Sequence, residues 1–251
     1  MACRPFGAEY GDAPRWSPWE RSLIRRLGVL DLPTRMRARL ILPYLREAAP
    51  RSVLDVGFGC GHWSFWLARD PSCRRIVAVD PDASRVADAR HVAAVLGLES
   101  LEFRSGHVPD AIADLPPQTL DVVIAIEVLQ LVGPLTACFE LLWSLLRPGG
   151  ILLAHVPSLG YMRAYDRHRL DVEELERLCA RSGFEVVRLT RTFGPYHRAL
   201  FSVFGRTASC SRAAAAAVFP FLFALACLRP IEHPGGDHRL LIARRPPLST
   251  T

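Results

Sequence analysis

The sequence predicts an α/β fold built on a doubly wound, mostly parallel sheet, and two observations support this prediction. Residues 53–61 join a short apolar segment to a glycine-spaced loop, and a helix-like segment follows at once. Strand-like and helix-like segments then alternate from about residue 50 to about residue 190. Such alternation is typical of parallel strands covered by helices on both faces.

The glycine-spaced loop is the most informative run of the chain. It reads Val-Leu-Asp-Val-Gly-Phe-Gly-Cys-Gly, with the glycines at 57, 59 and 61. Glycine permits positive φ angles and lets a ligand approach the backbone closely. A strand, a tight glycine loop and a helix N-terminus together predict a nucleotide-binding turn, and Asp55, two residues before the first glycine, sharpens that interpretation.

The run resembles motif I of the class I methyltransferases that use S-adenosylmethionine, and five later segments resemble the family in the same order. These are Ile76–Pro81, Phe103–Gly106, Asp121–Gln130, Leu146–Leu153 and Leu175–Val186. The resemblance implies a Rossmann-like, seven-stranded sheet. Its last strand, for which His238–Arg244 is the candidate, would run antiparallel to the others.

The resemblance also implies which residues hold the cofactor. Asp55 would brace the loop or contact the cofactor's ammonium group, and Asp80 would accept hydrogen bonds from the ribose hydroxyls or cap the next helix. Glu127 would lie near cofactor or substrate, or else pair with an arginine at the strand end. The full expected cofactor set is Asp55, Gly57, Phe58, Gly59, Gly61, Asp80, Pro81, Ser105, Gly106, His107 and Glu127.

Two departures from the family pattern change the expectations. Many relatives have an acid after the third-strand glycine, whereas Gly106 is followed by His107, so backbone groups near Ser105–His107 are expected to hold adenine. One subgroup reads Glu-Val-Leu-Glu-His after the fourth strand, but this chain reads Glu-Val-Leu-Gln-Leu at 127–131. A single carboxylate is a poor set of ligands for a divalent cation, so no metal is expected.

The residue that assists methyl transfer is not marked by any motif. The candidates are His168, Tyr165 and His155, which follow the fifth strand or lie at its end. His168 is preferred because residues 165–170 resemble a loop that precedes the last core helix in many small-molecule and lipid-intermediate methyltransferases. The alternative for His168 is a surface or capping role.

The domain prediction is a helical N-terminal extension at 1–50, a cofactor-binding core at 51–196 and a C-terminal segment at 197–251. In the last of these, residues 213–228 are all apolar, but they fall short of the roughly 20 needed to span a membrane. They are expected to form a helix that is buried, covers the acceptor or rests on lipid. Arginines border the wider segment 205–230, which would suit peripheral contact with anionic headgroups on the inner membrane.

Composition fits a globular, cytoplasmic chain. Half of the residues are apolar, and the seven cysteines are scattered, which predicts a reducing compartment and no disulfide framework. All 31 basic residues are arginine. Residues 51–156 carry 8 arginines against 12 acids, whereas both flanks are basic.

The resulting hypothesis is methyl transfer from S-adenosylmethionine to a small organic or lipid-linked acceptor, most simply to oxygen. A nicotinamide-dependent oxidoreductase is disfavoured because His62 replaces the third glycine of the dinucleotide fingerprint and the chain has no lysine for a Tyr-x-x-x-Lys motif. A cofactor-binding scaffold without catalysis remains as an alternative. Nucleic-acid methylation is disfavoured because no Asn-Pro-Pro-Tyr-like signature follows the fourth strand.

Overall fold

A computed structural model describes residues 5–157 and 167–247. Its strands are β1 Ser52–Val56, β2 Arg75–Asp80, β3 Leu101–Ser105, β4 Leu120–Ile126, β5 Leu146–Pro157, β6 Glu185–Thr192 and β7 His238–Arg244. Its helices are α1 Pro18–Leu27, α2 Leu32–Ala48, α3 His62–Leu67, α4 Ala83–Leu96, α5 Leu135–Leu145, α6 Val172–Ser182, α7 Pro195–Cys210 and α8 Arg212–Ala226. A 3-10 turn at Ala8–Asp12 precedes α1.

The seven strands form one sheet in the order β3-β2-β1-β4-β5-β7-β6. Strand β7 pairs antiparallel with both β5 and β6, and the other pairings are parallel. The predicted Rossmann-like sheet with an antiparallel last strand is therefore confirmed.

Helices cover both faces of the sheet because the buried strands alternate their apolar side chains between two cores. Leu54 and Val56 of β1 point to the core that includes α5 and α6. Val53, which precedes Leu54, points to the core that includes α2 and α3. This period of two is the geometry of an extended strand that is buried on both sides.

The strand order reverses between β1 and β4, and this fixes where a ligand can bind. Val56 pairs with Ala125, so the segments that follow β1 and β4 leave the sheet side by side. In open α/β sheets, ligands bind in the crevice at the carboxyl ends of the strands where the order reverses. Gly57 and Glu127 both lie at this crevice.

The C-terminal apolar segment differs from the single helix expected at 205–230. It consists of two helices, α7 and α8, separated by Ser211 in extended conformation. The Ser211 hydroxyl accepts a hydrogen bond from the Ala214 N–H group at 3.2 Å, so it caps α8 and breaks the run. Leu32 and Met36 of α2 share a buried cluster with Phe219 and other side chains of α7 and α8.

Within the described ranges, no helix combines the length and the apolar character that crossing a bilayer requires.

Candidate active site

Residues 57–61, the glycine loop, are held in shape by the chain itself. The Gly57 N–H group donates to the Val79 carbonyl at 2.8 Å, and the Gly59 N–H group donates to Asp80 Oδ2 at 2.8 Å. Gly57 has a φ of +67°, and a Cβ there would lie 2.4 Å from Val128 Cγ2. A side chain at 57 would therefore clash with the Val128 side chain in the turn that follows β4.

Gly59 has a backbone conformation that favours glycine, but there is free space beside its Cα. Its φ is +57°, and outside the loop the atom nearest to a Cβ at this position would be Arg85 Nη1, at 3.6 Å. Gly59 lines a cavity at the carboxyl ends of the strands. A larger side chain here would project into the space where a ligand can bind rather than into the protein.

Two buried acids, Asp55 and Asp80, stabilise the structure around the glycine loop through hydrogen bonds. Asp55 is buried and accepts a hydrogen bond from the Ser64 hydroxyl at 2.6 Å, which ties β1 to α3. Burial raises the pKa of the Asp55 carboxyl to about 7. Asp80 is also buried, and its second oxygen accepts the Asp82 N–H group at 3.0 Å. Each carboxylate oxygen has more than one lone pair, so these bonds leave Asp80 able to accept further hydrogens.

The cavity has a volume of about 530 Å³ and extends from the glycine loop to the helices at both ends of the chain. At the loop it is lined by Gly57, Phe58, Gly59, Cys60, His62, Trp63, Arg85, Ile126 and Glu127. From the 3-10 turn, α1 and α2, and the segments that join them, come Tyr10, Trp16, Trp19, Glu20, Leu23, Ile24, Val29, Leu30, Asp31, Thr34 and Arg37. The C-terminal helices add Phe204, Ala208, Arg212, Ala215 and Ala216.

Aromatic side chains of the N-terminal extension cover the glycine loop. The ring of Tyr10 meets His62 edge-on, with the centroids 5.5 Å apart, and Trp16 Nε1–H donates to the Tyr10 carbonyl at 2.8 Å. Burial lowers the pKa of His62 to about 4, so its imidazole is neutral at physiological pH. The residue that replaces the third glycine of the dinucleotide fingerprint is thus a packed, uncharged part of the cavity wall.

An ion pair joins the two ends of the chain at the edge of the cavity. Arg212 Nη2 lies 2.5 Å from Glu20 Oε1, and the Arg212 guanidinium lies 4.9 Å from the centroid of the Trp16 ring. Arg212 is the first residue of α8, where the helix dipole disfavours a positive charge. Its contacts with α1 and with the segment before it offset that cost and connect the two terminal regions.

The predicted cofactor residues divide into two groups. Gly57, Phe58, Gly59, Gly61 and Glu127 lie at the cavity or immediately beside it. Pro81 follows β2, Ser105 ends β3, and Gly106 and His107 come next. These residues, expected at ribose and adenine, lie at the same edge of the sheet, outside the lining of the cavity. Their assignment to the cofactor stays a prediction.

The predicted catalytic residues are not gathered at the cavity. His155 is fully buried behind Glu127, with its Nδ1 at 2.9 Å from Glu127 Oε1. His168 lies beside the turn after β4, where its N–H group donates to the Gln130 carbonyl at 3.1 Å, and it does not line the cavity. Tyr165 lies outside the described residues.

Sequence reasoning missed the contribution of the N-terminal extension. Arg37 lines the cavity, and its Nη2 lies 3.3 Å from Glu127 Oε2, although the two residues are 90 positions apart. Nothing in the local pattern of α2 distinguishes Arg37 from the solvated arginines on the same helix. The aromatic residues Tyr10, Trp16 and Trp19, which also line the cavity, are a sequence signal that could have marked this region.

Among the residues that the structure describes, no cluster of three His, Cys, Asp or Glu side chains could hold a metal ion.

Comparisons with known proteins agree with this geometry. A family model described as "Methyltransferase domain" matches residues 49–188. The chain is 29% identical over 161 residues to a "Probable S-adenosylmethionine-dependent methyltransferase" of Mycolicibacterium smegmatis, covering 61% of this chain and 58% of that protein. It is 28% identical over 114 residues to "Ribosomal RNA small subunit methyltransferase G" of Borrelia duttonii, covering 45% of this chain and 50% of that protein.

A solved methyltransferase has the same fold. The S-adenosylmethionine-dependent methyltransferase of Archaeoglobus fulgidus superposes with a TM-score of 0.60 at 17% identity, covering 86% of this chain and 95% of that one. The chain thus spans little more than half the length of the two curated relatives but nearly all of this structure. Because the family match covers more than half of its residues, the chain belongs to the methyltransferase-domain family of the class I, S-adenosylmethionine-dependent type, and S-adenosylmethionine is its cofactor.

Proposed function

We propose that this protein transfers the methyl group of S-adenosylmethionine to a small organic or lipid-linked acceptor with an apolar body, most simply to an oxygen atom. One observation carries the proposal: a single cavity has the glycine loop at one end and an apolar wall at the other. The cofactor supplies an electrophilic methyl group on a sulfonium, and the protein has to place an acceptor in line with it and exclude water.

The residues expected to hold the cofactor fit its chemistry. Gly59 leaves open space beside the loop, and the buried carboxylate of Asp80 can accept hydrogen bonds from two ribose hydroxyls. Ser105–His107 offer backbone groups to adenine at the same edge of the sheet. Asp55 acts as a brace through Ser64, because its carboxyl is buried away from the cavity.

The acceptor end of the cavity supports an apolar substrate. Leu23, Ile24, Leu30, Phe204 and Ala215 line it, together with the indole rings of the N-terminal extension. Such a surface favours apolar groups at about 25 cal/mol per Å² removed from water. An acyl, prenyl or aromatic body would find little there to hydrogen-bond and much to pack against.

Phase partition of a transferred label tests the proposal. The protein is incubated with S-adenosylmethionine that carries a tritiated methyl group and with an extract of the source cells, and the label is followed into lipid, small-molecule, RNA and protein fractions. We expect label in the lipid or apolar small-molecule fraction, in a form that resists alkali if it is an ether and is released by alkali if it is an ester. Label in RNA alone, as the name of the Borrelia relative would suggest, contradicts the proposed acceptor.

Metal independence is part of the same proposal. The turn after β4 offers Glu127 without a second acid or a histidine in the next four residues. Transfer is expected to proceed unchanged in EDTA. Loss of the label in EDTA and its recovery on adding magnesium would show that a metal takes part.

We further propose that α7 and α8 rest on an anionic membrane surface while they cover the cavity, which would place the protein in the cytoplasm and at the inner leaflet. Residues 195–229 contain four arginines and no acid, and Phe221 and Leu228 are exposed on α8 and just after it. Co-sedimentation with vesicles of anionic lipid is expected, with weaker binding at high salt. Phe221→Ser should reduce it, whereas Val187→Ser, which changes an exposed apolar residue of β6, should not.

A further inference from the structure

Glu127 occupies an unusual position where β4 ends at the cavity. Its φ is +59°, a left-handed conformation that is strained for a non-glycine residue. Two hydrogen bonds hold it there: its N–H group donates to the His155 carbonyl at 2.7 Å, and Gln130 Nε2–H donates to its carbonyl at 2.8 Å. The surrounding structure thus fixes the backbone from both sides and sets the direction of the side chain.

The buried side of the Glu127 carboxylate is occupied by His155. Oε1 lies 2.9 Å from His155 Nδ1, and His155 Nε2 lies 3.0 Å from Thr192 Oγ1. A carboxylate can only accept, so Nδ1 carries the hydrogen, and a neutral imidazole must then accept the Thr192 hydroxyl at Nε2. Burial lowers the pKa of His155 to about 4, so the ring is neutral at physiological pH.

Positive charge keeps the carboxylate ionised. Burial by itself would raise the pKa of Glu127, but Arg37, 3.3 Å from Oε2, and the neighbouring His155 and His238 lower it well below its ordinary value. His238 Nε2 lies 3.6 Å from Oε2, and its ring stacks on that of His155. The cavity therefore contains, at its sheet end, an oriented carboxylate that these neighbours hold in its ionised form.

We propose that Glu127 receives the reacting hydroxyl of the acceptor, and that Arg37 and His155 are positioning residues that hold its carboxylate in place. The inference rests on the proposed function, since it requires methyl transfer in the same cavity. It assigns the acceptor class: an apolar molecule with a neutral hydroxyl, because a carboxylate or phenolate nucleophile would be repelled by Glu127.

The transfer step balances with these groups. A lone pair of the acceptor oxygen forms the bond to the methyl carbon while the carbon–sulfur bond breaks, and that electron pair stays on sulfur to give a neutral thioether. The positive charge that develops on the acceptor oxygen is stabilised by the adjacent carboxylate. Its proton passes to Glu127 and then to water, and a weakly basic carboxylate suffices because an oxonium is a much stronger acid than a carboxylic acid.

A matched pair of probes tests the proposal without a known acceptor. Binding of 1-decanol and of its methyl ether, which lacks the hydroxyl hydrogen, is measured by calorimetry on protein saturated with S-adenosylhomocysteine. A hydrogen bond to a charged group predicts that wild type prefers the alcohol by about tenfold or more. Glu127→Gln should reduce that preference to about threefold or less, because a neutral amide accepts more weakly. Glu176→Gln, the same change at an exposed carboxylate of α6, should keep it.

Two further variants separate positioning from simple structural support. Thr192→Val removes the hydroxyl that fixes the His155 ring, and we expect the alcohol preference to fall while affinity for S-adenosylhomocysteine is unchanged. His155→Phe should remove the preference, and His155→Gln, which keeps an N–H donor toward Glu127, should partly restore it. In wild type, nitrogen NMR should show His155 as the neutral Nδ1–H tautomer from pH 6 to pH 8.

The outcomes distinguish this inference from the function on which it rests. If wild type does not bind S-adenosylhomocysteine, the proposed function fails and the inference fails with it. If it binds S-adenosylhomocysteine normally but shows no preference for the alcohol, or if Glu127→Gln keeps the full preference, only the role of Glu127 is overturned.

Discussion

The two ends of the cavity are built in different ways. The glycine-loop end comes from consecutive residues at the carboxyl ends of parallel strands, and backbone hydrogen bonds to Val79 and Asp80 hold it. The helical wall, formed by α1, α2, α7 and α8, comes from both ends of the chain and is held by apolar packing and the Arg212–Glu20 ion pair. We therefore expect backbone geometry to govern cofactor binding and side-chain surfaces to govern the choice of acceptor.

The largest expected effect is at the glycine-loop end. Gly59→Val should abolish binding of S-adenosylhomocysteine, because its side chain would project into the cavity beside Arg85. The fold should survive with a loss of about 1–2 kcal/mol, the cost of a β-carbon at positive φ. Calorimetry and urea unfolding measure the two effects. Normal affinity in this variant would show that the loop does not hold the cofactor.

The same end should also carry a pH dependence, which comes from Asp55. Asp55 has a folded-state pKa of about 7, well above its value in the unfolded chain, so it contributes stability below about pH 4 that is lost as the pH rises toward 7. Asp55→Asn removes this loss and keeps an acceptor for Ser64. The unfolding free energy of the variant should rise relative to wild type between pH 4 and pH 7, by about 4 kcal/mol in total. If the unfolding free energies of the variant and the wild type changed in parallel with pH, the raised pKa of Asp55 would be contradicted.

Within the helical wall, substitutions on the buried side of α8 should lower the free energy of unfolding much more than substitutions on its exposed side. Phe219 is 4% exposed and packs with Leu32 and Met36, whereas Phe221 is 66% exposed. Phe219→Ala should lower the free energy of unfolding by about 3 kcal/mol through lost burial and a cavity. Phe221→Ala should change it by about 0.5 kcal/mol or less. Similar losses in urea denaturation for both variants would mean that α8 packs differently.

A smaller effect on affinity is expected from Asp80→Ala. It removes the acceptor of the Gly59 N–H group and the expected ribose contact, so binding of S-adenosylhomocysteine should weaken by about 1.5–3 kcal/mol. Asp82→Ala, which removes the cap of α4 and an exposed ion pair with Arg85, is the matched control and should leave the affinity within twofold. Equal losses in the two variants would indicate a general disturbance of this edge.

The smallest expected effect concerns the contact between the two terminal regions. Arg212→Ala removes an exposed ion pair with Glu20 and a cation–π contact with Trp16, together about 0.5–1 kcal/mol at low salt. The loss should shrink at high salt and should be accompanied by a change in tryptophan fluorescence. Arg177→Ala, which breaks a pair with Glu174 within α6, should leave the fluorescence unchanged.

The difference between the two ends of the cavity also explains how much of the structure could be predicted from the sequence. Residues 53–61 and His238–Arg244 were placed correctly because a strand followed by a glycine loop, or an isolated apolar strand, is specified by neighbouring residues. The start of α6 is specified just as locally, because the Asp171 carboxylate accepts the Glu174 N–H group at 3.0 Å and caps the helix.

The site beyond the glycine loop could not be predicted in this way. Arg37 reaches Glu127 only because α2 packs on the sheet beside β4, and no local pattern encodes that contact. His155 lies on the buried side of Glu127 because β5 continues past the end of β4. The residue expected as a candidate base is therefore a buried hydrogen-bond partner of Glu127. The break at Ser211 was missed because the apolar composition on either side of it is helical, and one capping hydroxyl ends the run.

The most direct test of the central claim is calorimetric titration of the wild-type protein with S-adenosylhomocysteine and, separately, with NADH. The claim is that the glycine loop and Asp80 form a site for S-adenosylmethionine at the sheet end of the cavity. We expect micromolar binding of S-adenosylhomocysteine and no measurable binding of NADH. Tight binding of NADH, with no response to S-adenosylhomocysteine or S-adenosylmethionine, would contradict the account.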